Sequence, residues 1–286
     1  MPESEYPFVL EGGPNQTAEL GQIKVPKSGI VSRDYNHEYE NGFRDFSETF
    51  SDILKQLDEK CCDTVLFSLY SIIPRKSFWP LRLLRLRNIK AVLYEEFKDG
   101  KKREIKGSVV LYREGNKWHR YPLPNWGFPN LRGSQKAKTE KVDKFKRLGM
   151  PGRVLGNCCA ILCGEINSVP YHQHAKRVRD DFGLRRSLPT KVTVVLNPGH
   201  DRMSRFEMPL KRAFLSENDR WVISVWNRGK RDSGGRARDG TRYPWSVFHN
   251  GQDITEIVEP QHQIANVEIG ILEIEGSRNS GAADLV

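Results

Sequence analysis

Apolar residues recur at three- and four-residue steps after residue 41, and this spacing predicts an amphipathic helix over residues 41–58. Asn41 can cap its first turn. A nearly continuous apolar run at residues 64–70 then predicts a buried strand. A helix followed this closely by a strand is typical of a layered α/β fold. The stripe of the helix consists of Phe43, Phe46, Phe50, Ile53, Leu54 and Leu57.

Strands and helices continue to alternate through the middle of the chain, and strands cluster near its end. Further strands are predicted at residues 89–94, 108–112, 117–121, 160–162, 191–196, 221–226, 245–248 and 267–274. Further helices are predicted at residues 78–87, 175–182 and 203–216. Residues 197–201 are predicted to end the strand before them, and residues 122–135, 167–174 and 227–243 to form loops.

The length of 286 residues allows one large domain. We expect a flexible arm at residues 1–20, an α/β domain at residues 21–275 and a flexible tail at residues 276–286. No apolar run approaches the ~20 residues that a membrane-spanning helix needs, and the first residues lack the pattern of a signal peptide. Five cysteines, four of them in adjacent pairs, argue against a secreted disulfide framework and favour the cytoplasm.

The net charge of +10 permits an anionic partner such as nucleic acid. Basic residues are densest at residues 136–147, but Phe145 is the one aromatic residue of this run. Proteins that bind single strands interleave several aromatic residues with their basic ones. A solvated basic surface is therefore favoured over nucleic-acid binding.

A candidate nucleophile stands where the apolar run of residues 160–162 ends. Cys163 follows this run, and the chain turns at once through Gly164 into polar residues. A strand that presents a thiol at a tight turn can serve covalent catalysis, because the next backbone N–H can point at a developing oxyanion. A cysteine beside a strand is nevertheless more often a packing residue.

The segment Cys163-Gly164-Glu165-Ile166-Asn167 resembles the nucleophile motif of the carbon–nitrogen hydrolase (nitrilase/amidase) superfamily. Three later features are similar as well: the pair Arg212-Ala213 in a helix, a strand that ends at Asn227, and the hairpin of residues 245–251. The resemblance implies a four-layer αββα sandwich. It also implies hydrolysis of a small-molecule amide or nitrile through a cysteine thioester, self-association into a homo-oligomer, and no cofactor or metal.

In that superfamily the catalytic residues are a cysteine, a glutamate base and a lysine that stabilises the oxyanion. Cys163 takes the first role directly. Lys136 is the first choice for the lysine and Lys138 the second, since they precede an acidic residue upstream of the nucleophile. Glu140 would then stand where many members carry a further glutamate that positions the substrate.

The sequence departs from the superfamily at the glutamate base, because Leu69 stands where the glutamate is expected. Either the site is inactive or another carboxylate reaches it. The candidates are Glu140 and the pair Glu95 and Glu96 at the end of the next strand. Alternatively, the strand of this pair is itself the glutamate strand of the superfamily. Paired glutamates at a strand end are otherwise typical of a solvated surface.

Three residues around the thiol are candidates for substrate contact. These are Gly164, Glu165 and His172, of which Glu165 is expected to structure the turn rather than take part in chemistry. His200 can pair with Asp201, although a capping role for Asp201 explains that segment more simply. Two other functions stay open: a non-catalytic module that binds a small molecule or partner, and a nucleic-acid-associated factor.

Overall fold

The computed structural model describes residues 26–34, 45–74, 85–98, 104–115, 117–123, 126, 133–201, 206–229, 242–261 and 264–274. The expected arm at residues 1–20, the tail at residues 276–286 and most of the helix expected at residues 78–87 lie outside these residues. Among the described residues, no helix combines the length and the apolar character that a bilayer crossing requires.

The described residues form three longer helices and fifteen strands. The helices are α1 (Phe50–Glu59), α2 (Gln135–Lys144) and α3 (Glu207–Ser216). The strands are β1 (Lys27–Arg33), β2 (Thr64–Phe67), β3 (Ala91–Lys98), β4 (Glu104–Glu114), β5 (Lys117–Leu123), β6 (Val154–Leu155), β7 (Cys158–Ala160), β8 (Tyr171–His172), β9 (Arg177–Val178), β10 (Val194–Asp201), β11 (Trp221–Asn227), β12 (Trp245–His249), β13 (Gln252–Asp253), β14 (Glu259–Gln261) and β15 (Val267–Glu273). Short helical turns cover Phe145–Gly149, Pro151–Arg153, Cys163–Ser168, Arg185–Ser187 and Thr255–Ile257.

Two large sheets organise the described part of the chain. The first has the strand order β14-β15-β1-β2-β3-β4-β5, and the second has the order β13-β12-β11-β10-β7-β6. Strands β1, β2 and β3 are parallel, as are β7, β10 and β11. The carboxyl ends of parallel strands meet at one edge of a sheet, where α/β folds place their ligand sites.

Three apolar clusters show that the layers follow the order helix, sheet, sheet, helix. Side chains from the two sheets, such as Leu66 and Leu93 from the first and Leu196 and Val225 from the second, interdigitate in the middle cluster. One outer cluster packs α1 on the first sheet, and the other packs α2 and α3 on the second. The predicted four-layer αββα sandwich is thereby confirmed.

The helix predicted at residues 41–58 is confirmed over Phe50–Glu59, and the stripe residues Phe46, Phe50, Ile53, Leu54 and Leu57 are buried as expected. The helix begins later than predicted, with Thr49 as its N-cap residue, and Asn41 and Phe43 lie outside the described residues. The helix predicted at residues 175–182 is wrong. This segment instead contains β9 and the end of the turn that joins it to β8, in which Lys176 adopts a left-handed conformation with φ of 48°. A tight turn thus explains the polar residues that were assigned to a helix.

The prediction that residues 197–201 end a strand is also wrong, because β10 continues to Asp201. Pro198 pairs in register with Val225 of β11, whereas the pairing of β10 with β7 stops at Leu196. A proline is tolerated where one side of a strand has no ladder partner. The continuation carries His200 to the carboxyl edge of the second sheet.

Candidate functional site

Cys163 lies just beyond the carboxyl end of β7, at the first position of the turn Cys163–Ser168. Ile161, two residues before Cys163, is fixed to β10 by two hydrogen bonds. The N–H of Ile161 donates to the Leu196 carbonyl at 2.9 Å, and Nδ2 of Asn197 donates to the Ile161 carbonyl at 2.6 Å. The thiol is half-buried, so it is reachable from solvent on a fixed backbone.

A buried ion pair holds the turn that carries the thiol. One carboxylate oxygen of Glu165 accepts from Arg153 Nη2 at 2.7 Å and the other accepts from the Leu162 N–H at 2.8 Å. Both side chains are almost completely buried. Burial raises the pKa of the Glu165 carboxyl, while Arg153 and backbone N–H groups act in the opposite direction. Glu165 therefore structures the turn, as expected, and its carboxylate is occupied by internal partners.

His200 connects the thiol to a carboxylate. Its Nε2 lies 2.7 Å from Oε2 of Glu95, and the Cys163 side chain is close enough to the ring to raise its pKa. The ring packs against Tyr70 with centroids 4.1 Å apart. These contacts leave 16% of the His200 side chain exposed. The imidazole is therefore oriented between a nucleophile and an acid.

Glu95 reaches this site because of the alternation of side chains along β3. Leu93 faces the cluster between the two sheets, and Glu95, two residues later, faces the same way. Its carboxylate is 1% exposed and also accepts a hydrogen bond from the Tyr70 N–H at 2.9 Å. Tyr70 has a φ of 55°, which is uncommon for a residue with a side chain. This unusual turn aims its N–H at the carboxylate.

The charge state of His200 follows from its partners. Burial lowers the pKa of His200, but the hydrogen bonds to Cys163 and Glu95 outweigh it and raise the pKa from 6.5 to about 10. The ring is therefore an imidazolium at neutral pH. An imidazolium has two N–H donors, one of which faces the Glu95 carboxylate, and it places a positive charge beside the Cys163 side chain.

A thiol, an imidazole and a carboxylate, from Cys163, His200 and Glu95, thus lie next to one another. These are side-chain types that catalytic triads combine on unrelated folds. The two residues on the second sheet, Cys163 and His200, meet the one on the first sheet, Glu95, where the two sheets face each other. The arrangement can attack an electrophilic carbon and transfer a proton to the leaving group.

The other acidic and basic candidates lie elsewhere. Glu96 pairs with Arg120 at 2.8 Å and accepts from the Tyr94 hydroxyl at 3.2 Å. Because it alternates with Glu95, it is directed away from the space between the sheets. Lys136 and Glu140 are exposed on α2, and Lys138 is half-buried there. The segment of the candidate lysine, expected at a strand end, is thus helical.

The remaining candidates near the thiol differ in their surroundings. Gly164 follows Cys163 in the turn and is half-buried. His172 lies in β8 and pairs through Nε2 with Asp181 at 2.5 Å. Leu69, at the position of the expected glutamate, is buried, and its N–H donates to the Gly199 carbonyl at 3.0 Å.

One feature of the sequence indicates a functional role for His200, although the prediction of catalytic residues did not use it. Polar residues follow the apolar part of β10 directly, as Cys163 follows β7, and β7 and β10 are parallel neighbours. Both residues therefore stand at the same carboxyl edge, where functional side chains gather in α/β sheets.

The other four cysteines have different surroundings. Cys62, Cys158 and Cys159 are buried, and burial raises the pKa of each of their thiols. Cys61 is exposed. Of the five, Cys163 is the one that combines access with a histidine partner in the described residues.

No family model and no curated protein matches the chain. Solved structures are similar to it at low identity. An amidase from Nesterenkonia sp. AN1 is 14% identical, covers 87% of this chain and 92% of its own, and has a TM-score of 0.47. A carbon-nitrogen hydrolase from Helicobacter pylori G27 is 12% identical, covers 88% of this chain and 90% of its own, and has a TM-score of 0.43.

Proposed function

We propose that this chain hydrolyses a non-peptide carbon–nitrogen bond of a small amide or nitrile through a thioester on Cys163. The observation that carries the proposal is the position of His200, whose ring lies beside the Cys163 side chain and whose Nε2 lies 2.7 Å from the buried Glu95 carboxylate. The motif at residues 163–167 and the layered fold support the same chemistry.

For an amide, the Cys163 thiolate attacks the carbonyl carbon to give a tetrahedral oxyanion. The backbone N–H of Gly164, next to the sulfur in the chain, is the proposed donor to that oxyanion. The His200 imidazolium gives its proton to the leaving nitrogen, the C–N bond breaks, and an amine or ammonia departs. Water then loses a proton to His200 and attacks the thioester, the C–S bond breaks, and the acid is released with the Cys163 thiolate and the His200 imidazolium restored.

This assignment differs from the cysteine–glutamate–lysine set that the sequence resemblance implies. His200 supplies the positive charge next to the thiol that a lysine would otherwise provide. Glu95 contacts His200, so its proposed role is to hold the ring and stabilise the imidazolium. The carboxylate of Glu95 thus acts through His200, which can accept a proton where Leu69 cannot.

Alkylation of Cys163 by iodoacetamide, read by peptide mass spectrometry as a function of pH, tests the proposal. Exposed Cys61 is the internal control, because it is accessible without a histidine partner. We expect Cys163 to react faster than Cys61 at pH about 6, where an ordinary thiol near pKa ~8.5 is almost fully protonated. His200→Gln should move the Cys163 profile to that of Cys61, and Glu95→Gln should move it part of the way.

Ammonia release from a panel of small primary amides and nitriles gives the second readout. Wild type should turn over at least one of them, and Cys163→Ala should turn over none. If Cys163 matches Cys61 at every pH and His200→Gln changes nothing, the hydrolase proposal fails and a non-catalytic binding module becomes the better description.

A further inference from the structure

We infer that Asn227 is a positioning residue, whose side-chain amide sets the geometry between Glu95 and His200; this inference rests on the proposed function. The two residues belong to different sheets, so neither sheet alone fixes the 2.7 Å contact between them. A group that touches both sides of the site is needed. Asn227, at the carboxyl end of β11, is 1% exposed and does so.

Nδ2 of Asn227 donates two hydrogen bonds, one to each sheet. One goes to the His200 carbonyl at 2.8 Å and the other to the Leu69 carbonyl at 2.7 Å. Leu69 is followed directly by Tyr70, whose N–H holds the Glu95 carboxylate. The same amide therefore ties the backbone of the histidine to the turn that anchors the carboxylate.

The orientation of this amide is itself fixed. Oδ1 of Asn227 accepts from the Ser68 hydroxyl at 2.7 Å, so the Nδ2 end must face the two carbonyls. The bonds to Ser68 and Leu69 are buried and the bond to His200 is partly buried. An unmatched donor or acceptor in a buried setting costs about 1–3 kcal/mol. The amide is thus locked rather than free to flip.

A cross-sheet contact whose side chain bonds to neither Leu69 nor His200 provides a matched control. The Ser32 hydroxyl of β1 donates to the Trp226 carbonyl at 2.6 Å, next to Asn227 in the chain and equally buried. Ser32→Ala removes one bond between the sheets but none to Leu69 or His200. The changes that Ser32→Ala causes in the thermal midpoint and in Cys163 alkylation therefore measure the effect of weaker contact between the two sheets.

The test compares Asn227→Asp, which keeps the shape and loses both N–H donors, with Ser32→Ala and wild type. The readouts are the pH profile of Cys163 alkylation and the thermal midpoint. We expect both variants to melt earlier, but only Asn227→Asp to slow Cys163 alkylation at pH about 6, by about tenfold or more, because misplacement of reacting groups by about 1 Å can cost 10²-fold. Its profile should shift towards that of Cys61.

Ser68→Ala is the second variant, to be used if Asn227→Asp does not fold. It removes the hydrogen bond to Oδ1 of Asn227 but keeps both N–H donors of Nδ2. It should shift the profile in the same direction and by less. The inference is overturned if Cys163 in Asn227→Asp is alkylated with the same pH profile as in wild type. If Asn227→Asp does not fold, the same result in Ser68→Ala overturns it. An equally large shift of the profile in Ser32→Ala overturns it as well. If His200→Gln leaves the pH profile of Cys163 alkylation as it is in wild type, the proposed function fails instead. The two failures are therefore distinguishable.

Discussion

Replacement of His200 by glutamine should change how the stability of the protein depends on pH. In the folded protein burial lowers the pKa of His200, but bonds to Cys163 and Glu95 outweigh it and raise the pKa from 6.5 to about 10. A group whose pKa is raised by folding stabilises the folded state most below its unfolded pKa. That contribution is lost as the pH rises through the folded pKa.

The magnitude follows from the proton that the folded state retains. Between pH about 6.5 and about 10 the folded protein holds a proton on His200 that the unfolded chain has released. The stabilisation from this residue therefore falls by about 1.4 kcal/mol for each pH unit. Relative to His200→Gln, wild type should lose about 2 kcal/mol in free energy of unfolding from pH about 7 to pH about 8.5.

Urea unfolding of wild type and His200→Gln, followed by tryptophan fluorescence at several pH values, measures this difference directly. Subtraction of the variant removes the contribution of every other titrating group that the two proteins share. A difference in free energy that stays constant from neutral to alkaline pH would refute the reasoning. It would mean that the imidazolium does not gain its partners on folding.

Three further outcomes are expected. Glu165→Gln should lower the free energy of unfolding by about 3–5 kcal/mol, measured in urea, because it leaves the buried Arg153 charge without its partner. Gly270→Ala should lower it by about 1–3 kcal/mol, since a Cβ there would stand 2.6 Å from Cγ1 of Val258. Lys136→Ala should leave Cys163 alkylation unchanged and alter stability by less than about 0.5 kcal/mol, because Lys136 is exposed on α2; a slower Cys163 would restore Lys136 as a candidate.

Local periodicity predicted the layered fold because burial of an apolar face is a local property of the sequence. The stripe of α1 and the buried run of β2 both appear in the structure where the pattern indicated them. Pattern failed where turn-forming residues carried too much weight. Residues 197–201, which include Pro198, were predicted to end a strand that in fact continues to Asp201, where its pairing with β7 has already stopped.

The site was predictable only in part. Cys163 could be found from its own neighbours in sequence, but His200 and Glu95 are separated by 105 positions and meet only after the two sheets pack. Glu95 and Glu96 are chemically identical, and the sequence does not say which of them faces the space between the sheets. That choice depends on the register of β3, which long-range pairing determines.

The pairing of β1 with β15 has a consequence for synthesis of the chain. Lys27 of β1 lies opposite Glu273 of β15, and β1 also supports β2, whose end carries the turn that anchors Glu95. During translation the first sheet therefore lacks β15 until residues 267–273 have left the ribosome, long after Cys163 has emerged. A nascent chain arrested before residue 267 should present Cys163 as an ordinary thiol, because the proposed site forms only after β15 has paired.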